Sequence, residues 1–401
     1  MPQDVTRKLG PSSSQSVTYE SVGQAEDYSP ILYNIDPTST QILSRLPEGK
    51  EVTATDTMWM TKRLEPPSEN AHLEYEEYKY HKVGSIEGLK NYVQFFQNTG
   101  LISDVQRKVK KIYNVPQGDA MSEAKTDAFT KQALDIEYAL ITNDKARMGG
   151  ETVAPLMGGI PYFMDLDTLD VTAVTTGVFT TTKEHNLKTG DFVYFIGKKM
   201  PAGMKAGAVY YVRLDTTNPK TAFTIYDKIQ DAVRGDDGVT TQVKPTDTGT
   251  EVKIVKSNVK SLGGAAQYTL DDIDDVMAMA ANRGGKPTDA YMSMENKRRF
   301  SKLVSAMATT QRQPKTRYGS EVADTYETDG GVVTAHSHRM YNSDRIDIYD
   351  FDYWELRYFE KPHEVGGLDK TGTYDKFVLE TKLTLQASQP KASASIIGIK
   401  R

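Results

Sequence analysis

Apolar residues recur at helical spacing in a few stretches of the chain and at strand spacing in most of the others. Between Asp119 and Arg147, Phe129, Ala133, Ile136 and Leu140 fall at i, i+4, i+7 and i+11, one stripe along a helix. Asp119 or Ser122 suits its start, and Asp119 and Glu123 oppose the positive end of the dipole. Lys145 and Arg147 suit the other end, Asp127 precedes Lys131 by four residues, and Met148-Gly149-Gly150 stops it. The spacing predicts a helix on the order of 40 Å long, a spine more than one wall of a pocket.

Helical spacing returns later. Thr269-Leu270-Asp271-Asp272 reads as a capping box with Asp in place of Glu, followed by the stripe Ile273, Val276, Met277 and Ala280 and stopped by Gly284-Gly285 and Pro287. A short strand at Asp289 to Met292 leads to a second helix, Glu295 to Thr309, striped by Phe300, Leu303, Val304 and Met307. Residues 310–333 are polar and read as a loop. Strands fill the end of the chain: "DRIDIYDF", "YWELRYF", "YDKFVLETKLTLQAS" and "ASASIIGI". In "FVLETKLTLQ" the alternation of Val378, Glu380 and Lys382 against Leu379, Thr381, Leu383 and Leu385 is that of a half-buried strand.

Before the long helix the pattern differs. Residues 1 to about 30 are rich in Ser, Gln and Pro and read as an arm without a core. A short helix is expected from Pro37 or Thr38 to Leu46. Glu51 to Lys82 alternates apolar with polar and reads as an extended β-ribbon. The alternation slips at Glu76-Glu77, which a β-bulge explains. In this ribbon His72, Glu74 and Glu76 share one face, with Leu73 and Tyr75 on the other. Such a face suits a metal, acid–base chemistry, or the polar side of a ribbon lying on a neighbour. A protruding ribbon offers no dry, preorganised pocket, so the interface reading is favoured.

From Thr168 to Ser257 Thr, Val, Lys, Asp and Gly dominate, and "GDFVYFIG", "AVYYVRL" and "TAFTIYD" are strand-like runs between turns. This predicts a small all-β unit inserted between helical parts, with a helix expected only near "DKIQDAV". Phe192, Tyr194, Val209, Tyr211, Phe223 and Ile225 are its expected core. Its polar ends suggest a separate projecting unit that can be removed with little harm to the rest.

Composition narrows the function. The chain has 401 residues, 38% hydrophobic and 26% charged, enough for two or three domains. Acidic residues number 54 against 49 basic ones, a net charge of −5 that argues against a protein whose main work is gripping nucleic acid. The local exception is "QRKVKK", where Arg107, Lys108, Lys110 and Lys111 are candidates for phosphate contact; a solvated face is the plainer reading. There is no cysteine, which excludes disulfides and thiolate chemistry. No run approaches a membrane span and no signal peptide is expected.

Catalytic motifs are missing: no nucleotide loop, no nucleophile elbow, no His-Glu-x-x-His helix. His336-Ser337-His338 offers two strand imidazoles to a metal but no assignable third ligand. His363-Glu364 reads as a surface pair. "DDIDD", Asp271 to Asp275, lacks the spacing of a calcium loop. Trp59, Tyr353 and Trp354 read as core or interface anchors. Neither an enzyme nor a cofactor is expected.

The stretches "DTMWMTKRLEPPSENAHLEYEEYKY", "AFTKQALDIEYALITN", "GGKPTDAYMS" and "TGTYDKFVLETKLTLQASQPKASASIIGI", in that order, resemble the major capsid proteins of tailed bacteriophages, of the Hong Kong 97-type fold, and more closely the SU-ten-like major head protein family. The resemblance covers about Ile31 to Ile160 and Leu262 to Ile399. It implies an α+β fold with an N-arm (1–50), an E-loop and flanking strands (51–118), a P-domain spine helix (119–167), an A-domain (258–345) and closing strands (346–401), with the β-rich insertion (168–257) as a departure. It implies a shell subunit built in the host cytoplasm, assembling through hexamers and pentamers around double-stranded DNA. Its partners would be other copies, a portal, scaffold or decoration proteins, and DNA touched non-specifically on the inner face, with no membrane. By this mapping Trp59, Arg63, His72, Glu74, Tyr75, Glu76 and Tyr78 contact a neighbouring subunit. A surface carbohydrate- or receptor-binding module is the alternative, and a hydrolase using Glu74 or Glu76 lacks a partner constellation.

Overall fold

The computed structural model describes residues 38–62, 74–75, 86–109, 119–164, 169–175, 177–185, 187–205, 208–234, 242–255, 258–264, 266–307, 324–328, 330–367 and 372–400. The long helix spans Ala120–Thr142, about 35 Å at 1.5 Å per residue. It stops five residues short of Arg147 because Asn143 leaves helical geometry and its amide donates to Met157 O at 2.8 Å and to Gln94 Oε1 at 3.1 Å. The helix lies on a three-stranded antiparallel sheet ordered Trp354–Glu364, Tyr374–Ala387, Gln94–Ser103. Its buried face is Gln132, Ile136, Glu137, Ala139, Leu140 and Ile141. Of the expected stripe, Ile136 and Leu140 are buried and Ala133 is half-buried, but Phe129 is 40% exposed. The inward face turns toward Gln132 and Glu137, polar residues that find partners inside. Gln132 Nε2 donates to Phe96 O at 3.1 Å.

A six-stranded sheet forms the second layer, ordered Val259–Ser261, Ala394–Ile397, Arg345–Tyr349, Asp289–Met292, Gly331–Ser337, Thr325–Thr328. The pairs Val259–Ser261 with Ala394–Ile397 and Asp289–Met292 with Gly331–Ser337 are parallel and the rest antiparallel. Helices Leu270–Asn282 and Met294–Met307 cover it. The capping box is present: Thr269 and Asp272 exchange side-chain and backbone bonds. Thr325–Thr328 and Gly331 to Val333, expected within a loop, belong instead to a hairpin whose second strand runs on to Ser337; Val333 and Ala335 are buried, so even a Thr- and Gly-rich run becomes a strand once one face is covered. The expected short helix before Leu46 is a turn closed by Leu46 N–H to Ile42 O at 3.1 Å.

Residues Leu169 to Val255 form a seven-stranded sheet closed on itself, because Val178–Thr181 pairs with both Leu169–Thr175 and Ala222–Tyr226. Among its described residues one short helix, Ile229–Arg234, lies within it. Its core is Val193, Phe195, Tyr210, Val212, Phe179, Phe223 and Ile225 among others. Phe223 and Ile225 were expected there. Phe192 and Tyr194 instead belong to the apolar cluster of the six-stranded sheet, Tyr211 packs against that cluster, and Val209 is exposed. The run "FVYF" is apolar on both faces, so either parity fits the alternation; the neighbouring layer decides which side is inside. The seven-stranded unit is therefore docked on the rest of the chain along one side.

Candidate functional site

The feature that the chemistry singles out is the base of the ribbon. Strand Asp56–Lys62 pairs antiparallel with Ile86–Tyr92, Met58 opposite Lys90 and Met60 opposite Gly88. Trp59 points inward. Its indole N–H donates to Ala387 O at 2.9 Å, and its ring lies 5.6 Å from Phe163, which lies 6.2 Å from the buried Trp354. An aromatic relay thus fixes the ribbon to the core beneath the three-stranded sheet. Met58 and Met60 point outward, 59% and 67% exposed. The Met58 methyl lies where a side chain at residue 88 would begin, 2.0 Å from the position of a Cβ, so Gly88 makes room for it. Lys90 bonds Asp56 at 2.8 Å; that bond holds the Asp56 carboxyl below its ordinary value and raises the Lys90 ammonium.

Two further clamps hold the base, both built on amides that the sequence reading passed over. Asn91 is buried; its Nδ2 donates to Leu385 O at 2.7 Å and Gly158 O at 3.0 Å, and its Oδ1 accepts from Gly158 N–H at 2.8 Å. Gln94 Oε1 accepts from Met157 N–H at 3.1 Å. The signal for both was weak: a single polar residue in an alternating strand reads as its solvent face. Beside the base runs an open groove of about 770 Å³, lined by Leu89 and Lys90 of the ribbon, Ile141 of the helix, Tyr162, Tyr341 and Arg345.

The other sequence candidates fall as follows. Glu74 and Tyr75 are exposed, Tyr75 at 92%. Arg63, His72, Glu76, Tyr78, Lys110 and Lys111 lie outside the described residues, as does the expected bulge at Glu76-Glu77. Arg107 sits on the helix Asp104–Lys108 between Asp375 at 2.5 Å and Asp119 at 3.0 Å; Asp119, then Asp375, raise its pKa. Lys108 is exposed. His336 and His338 do not converge. His336 Nε2 lies 3.0 Å from Asp289 and its ring stacks on Tyr291, whereas His338, one residue past the strand, turns inward to Glu137. Tyr353 lies in a 3₁₀ turn with its hydroxyl toward Gly284 O, and Trp354 is in the core. Among the described residues, no helix is long and apolar enough to cross a membrane.

A strand fixed to the core that presents two exposed methionines is suited to contact. A family model described as SU10 major capsid protein matches residues 12–400. In fold the chain is similar to a chain of the Cyanophage A-1(L) capsid asymmetric unit, with a TM-score of 0.58 and 11% identity over 94% of this chain and 98% of that one. It is also similar to the capsid of the native GTA particle, at 0.50 and 10% over 97% and 100%, and to a Microbacterium phage Oxtober96 chain, at 0.50 and 8% over 94% and 96%. At these identities the likeness is one of fold. No curated protein matches the chain.

Proposed function

The chain belongs to the SU10 major capsid protein family and is a major capsid protein, and from that premise we propose that its copies assemble through rings of six and five into the head shell of a tailed bacteriophage, enclosing double-stranded DNA. The observation that carries the assembly reading is the ribbon base. Trp59 is locked to the core while Met58 and Met60 stand exposed on the opposite face. Exposed apolar side chains on a fixed strand mark a contact surface. Many modest contacts, repeated under closed symmetry, then give a stable container.

In this reading residues 51–82 are the E-loop and reach across the adjacent subunit, with Glu74 and Tyr75 exposed for that contact and Arg63, His72, Glu76 and Tyr78 on the same segment. The helix Ala120–Thr142 with the three-stranded sheet is the P-domain and the six-stranded sheet is the A-domain. The seven-stranded unit is an added domain on the outer surface, because packed genome leaves little room inside. Portal, scaffold or decoration proteins and non-specific contact with DNA follow as partners, and synthesis takes place in the host cytoplasm. No catalytic step is proposed.

The test is sedimentation and negative-stain microscopy of purified protein, wild type against Met58→Glu/Met60→Glu. Wild type should form rings or shells. The double variant should stay folded by circular dichroism and remain in small species. Shells formed equally well by both would remove the ribbon base from the assembly contact.

A further inference from the structure

On the far end of the three-stranded sheet three ligand-type side chains meet. Glu360 and His363 stand on strand Trp354–Glu364 and Glu380 on strand Tyr374–Ala387. Residues three apart on a regular strand face opposite sides. Here the pairing slips between Tyr358 and Glu360 and again between Glu360 and His363, so that Glu360 pairs with Lys382 and His363 with Glu380. Glu380 and Lys382 are two apart and share a face. The slips therefore bring an imidazole and two carboxylates to one patch, with one donor atom from each within 4.8 Å of the others.

The tautomer of the histidine leaves one ring nitrogen free to coordinate. Its Nδ1 lies 2.9 Å from Lys361 O. A carbonyl only accepts, so Nδ1 carries the hydrogen and the neutral ring keeps its lone pair on Nε2. That is the arrangement seen when a metal-binding imidazole is held by a backbone carbonyl. Donors on a tetrahedral centre with bonds of about 2.1 Å lie roughly 3.4 Å apart, so small side-chain rotations suffice to close the set. Lys382 also occupies the patch, 2.7 Å from Glu360 and 3.6 Å from Glu380. Two carboxylates against one ammonium leave a net negative charge.

We propose that Glu360, His363 and Glu380 form a binding site for a first-row divalent cation, with Lys382 as its competitor. One nitrogen and two oxygens suit a borderline ion such as Zn²⁺. Three protein ligands leave a coordination position for water or a donor from elsewhere. When bound, the ion joins the two strands across the irregular stretch and displaces the ammonium toward solvent.

The experiment is isothermal titration of the full chain with Zn²⁺. The wild type is expected to take one ion per chain at this site, with a dissociation constant on the order of micromolar. His363→Ala should weaken binding by roughly tenfold or more, as losses in a ligand set commonly do. Lys382→Met should tighten it by about tenfold, because the competing charge is gone. A merely structural role for the cluster does not predict that gain. Equal Zn²⁺ binding by wild type and by the triple variant Glu360→Gln/His363→Ala/Glu380→Gln overturns the proposal, and so does a Lys382→Met variant that binds no more tightly than wild type.

Discussion

Glu137 and His338 meet 3.0 Å apart inside the protein, 201 positions apart in the chain. Both are buried. Glu137 also accepts from the Ile42 and Leu43 N–H groups, at 2.9 and 2.7 Å. His338 Nδ1 accepts from Met340 N–H at 3.2 Å, so Nε2 holds the hydrogen donated to the carboxylate. One carboxylate thus ties the segment before the ribbon, the long helix and the end of a strand in the six-stranded sheet. Removing it leaves three donors without this acceptor, two of them buried and one half-buried. Glu137→Ala should cost about 3 kcal/mol or more, and His338→Ala roughly half as much because two backbone donors still satisfy the carboxylate. Urea unfolding measures both. A loss under 1 kcal/mol for Glu137→Ala would mean the clamp is dispensable.

The loop after the helix depends on a close approach. A Cβ at Gly159 would lie 2.7 Å from both Ala139 O and Leu140 O and 3.0 Å from Asn143 O, all backbone atoms at the helix end. Gly159→Ala should therefore cost about 1–3 kcal/mol through displacement of the loop. Gly150, with nothing within 4 Å of its would-be Cβ, is the control. Gly150→Ala should be neutral or stabilising by about 0.5 kcal/mol, since it narrows the unfolded ensemble. Thermal melts that rank the two variants the other way would contradict the packing.

Alkaline pH should expose a buried pair of tyrosines. The hydroxyls of Tyr341 and Tyr349 donate to Asp347 Oδ2 at 2.9 and 2.7 Å. Burial first, then the Asp347 charge, hold both phenols well above their ordinary value. A raised folded value means that the folded state holds the proton more tightly. The contribution is whole below the unfolded value near pH 10 and is lost as pH rises beyond it, at about 1.4 kcal/mol per pH unit for each group. Urea midpoints should be flat from pH 8 to 9.5 and fall steeply by pH 11. In Tyr349→Phe the fall should be shallower by one group's share. Identical slopes would show that this phenol does not titrate with unfolding.

The sequence made the long helix, the capping box at Thr269 and the closing strands legible because each is set by local periodicity or by a residue pair three apart. What it hid are features set by distant partners. Phe129 fits the stripe as well as Ile136 does, but only the sheet beneath decides that the inward face is turned toward Gln132 and Glu137. His336 and His338 look like one pair in sequence, yet the strand ends at Ser337 and sends them to Asp289 and Glu137. The base of the ribbon was half legible. Trp59 was marked as a core or interface anchor and as a contact to a neighbouring subunit, yet its indole is bonded within the chain, to Ala387 O; its pairing strand Ile86–Tyr92 and the Asn91 clamp were not marked, since neither carries a strong alternation of its own.

The side on which the seven-stranded unit meets the rest of the chain gives the last prediction. Asp191 is fully buried there; its carboxylate takes Arg283 at 3.1 Å, Lys391 at 3.2 Å and the Lys188 N–H at 3.0 Å. The Arg283 guanidinium lies 4.8 Å over the Phe192 ring. Phe192 and Tyr194 complete the apolar cluster that holds Ile273, Val276 and Met277 of helix Leu270–Asn282. A unit with its own core, joined by polar ends, was expected to be removable at little cost. The docking argues for a larger cost. Replacing residues 169–255 with a Gly-Ser linker uncovers part of the helix-side cluster, and each buried aromatic lost removes about 2–3 kcal/mol of burial. The deletion variant should melt lower than the whole chain and bind a hydrophobic dye. Asp191→Ala, which breaks the seam but leaves both cores in place, should cost about 3 kcal/mol by leaving the Arg283 charge without this partner. If the deletion variant melts like the parent and binds no dye, Phe192 and Tyr194 do not support the neighbouring layer, and the seam is a resting contact between two units that fold alone.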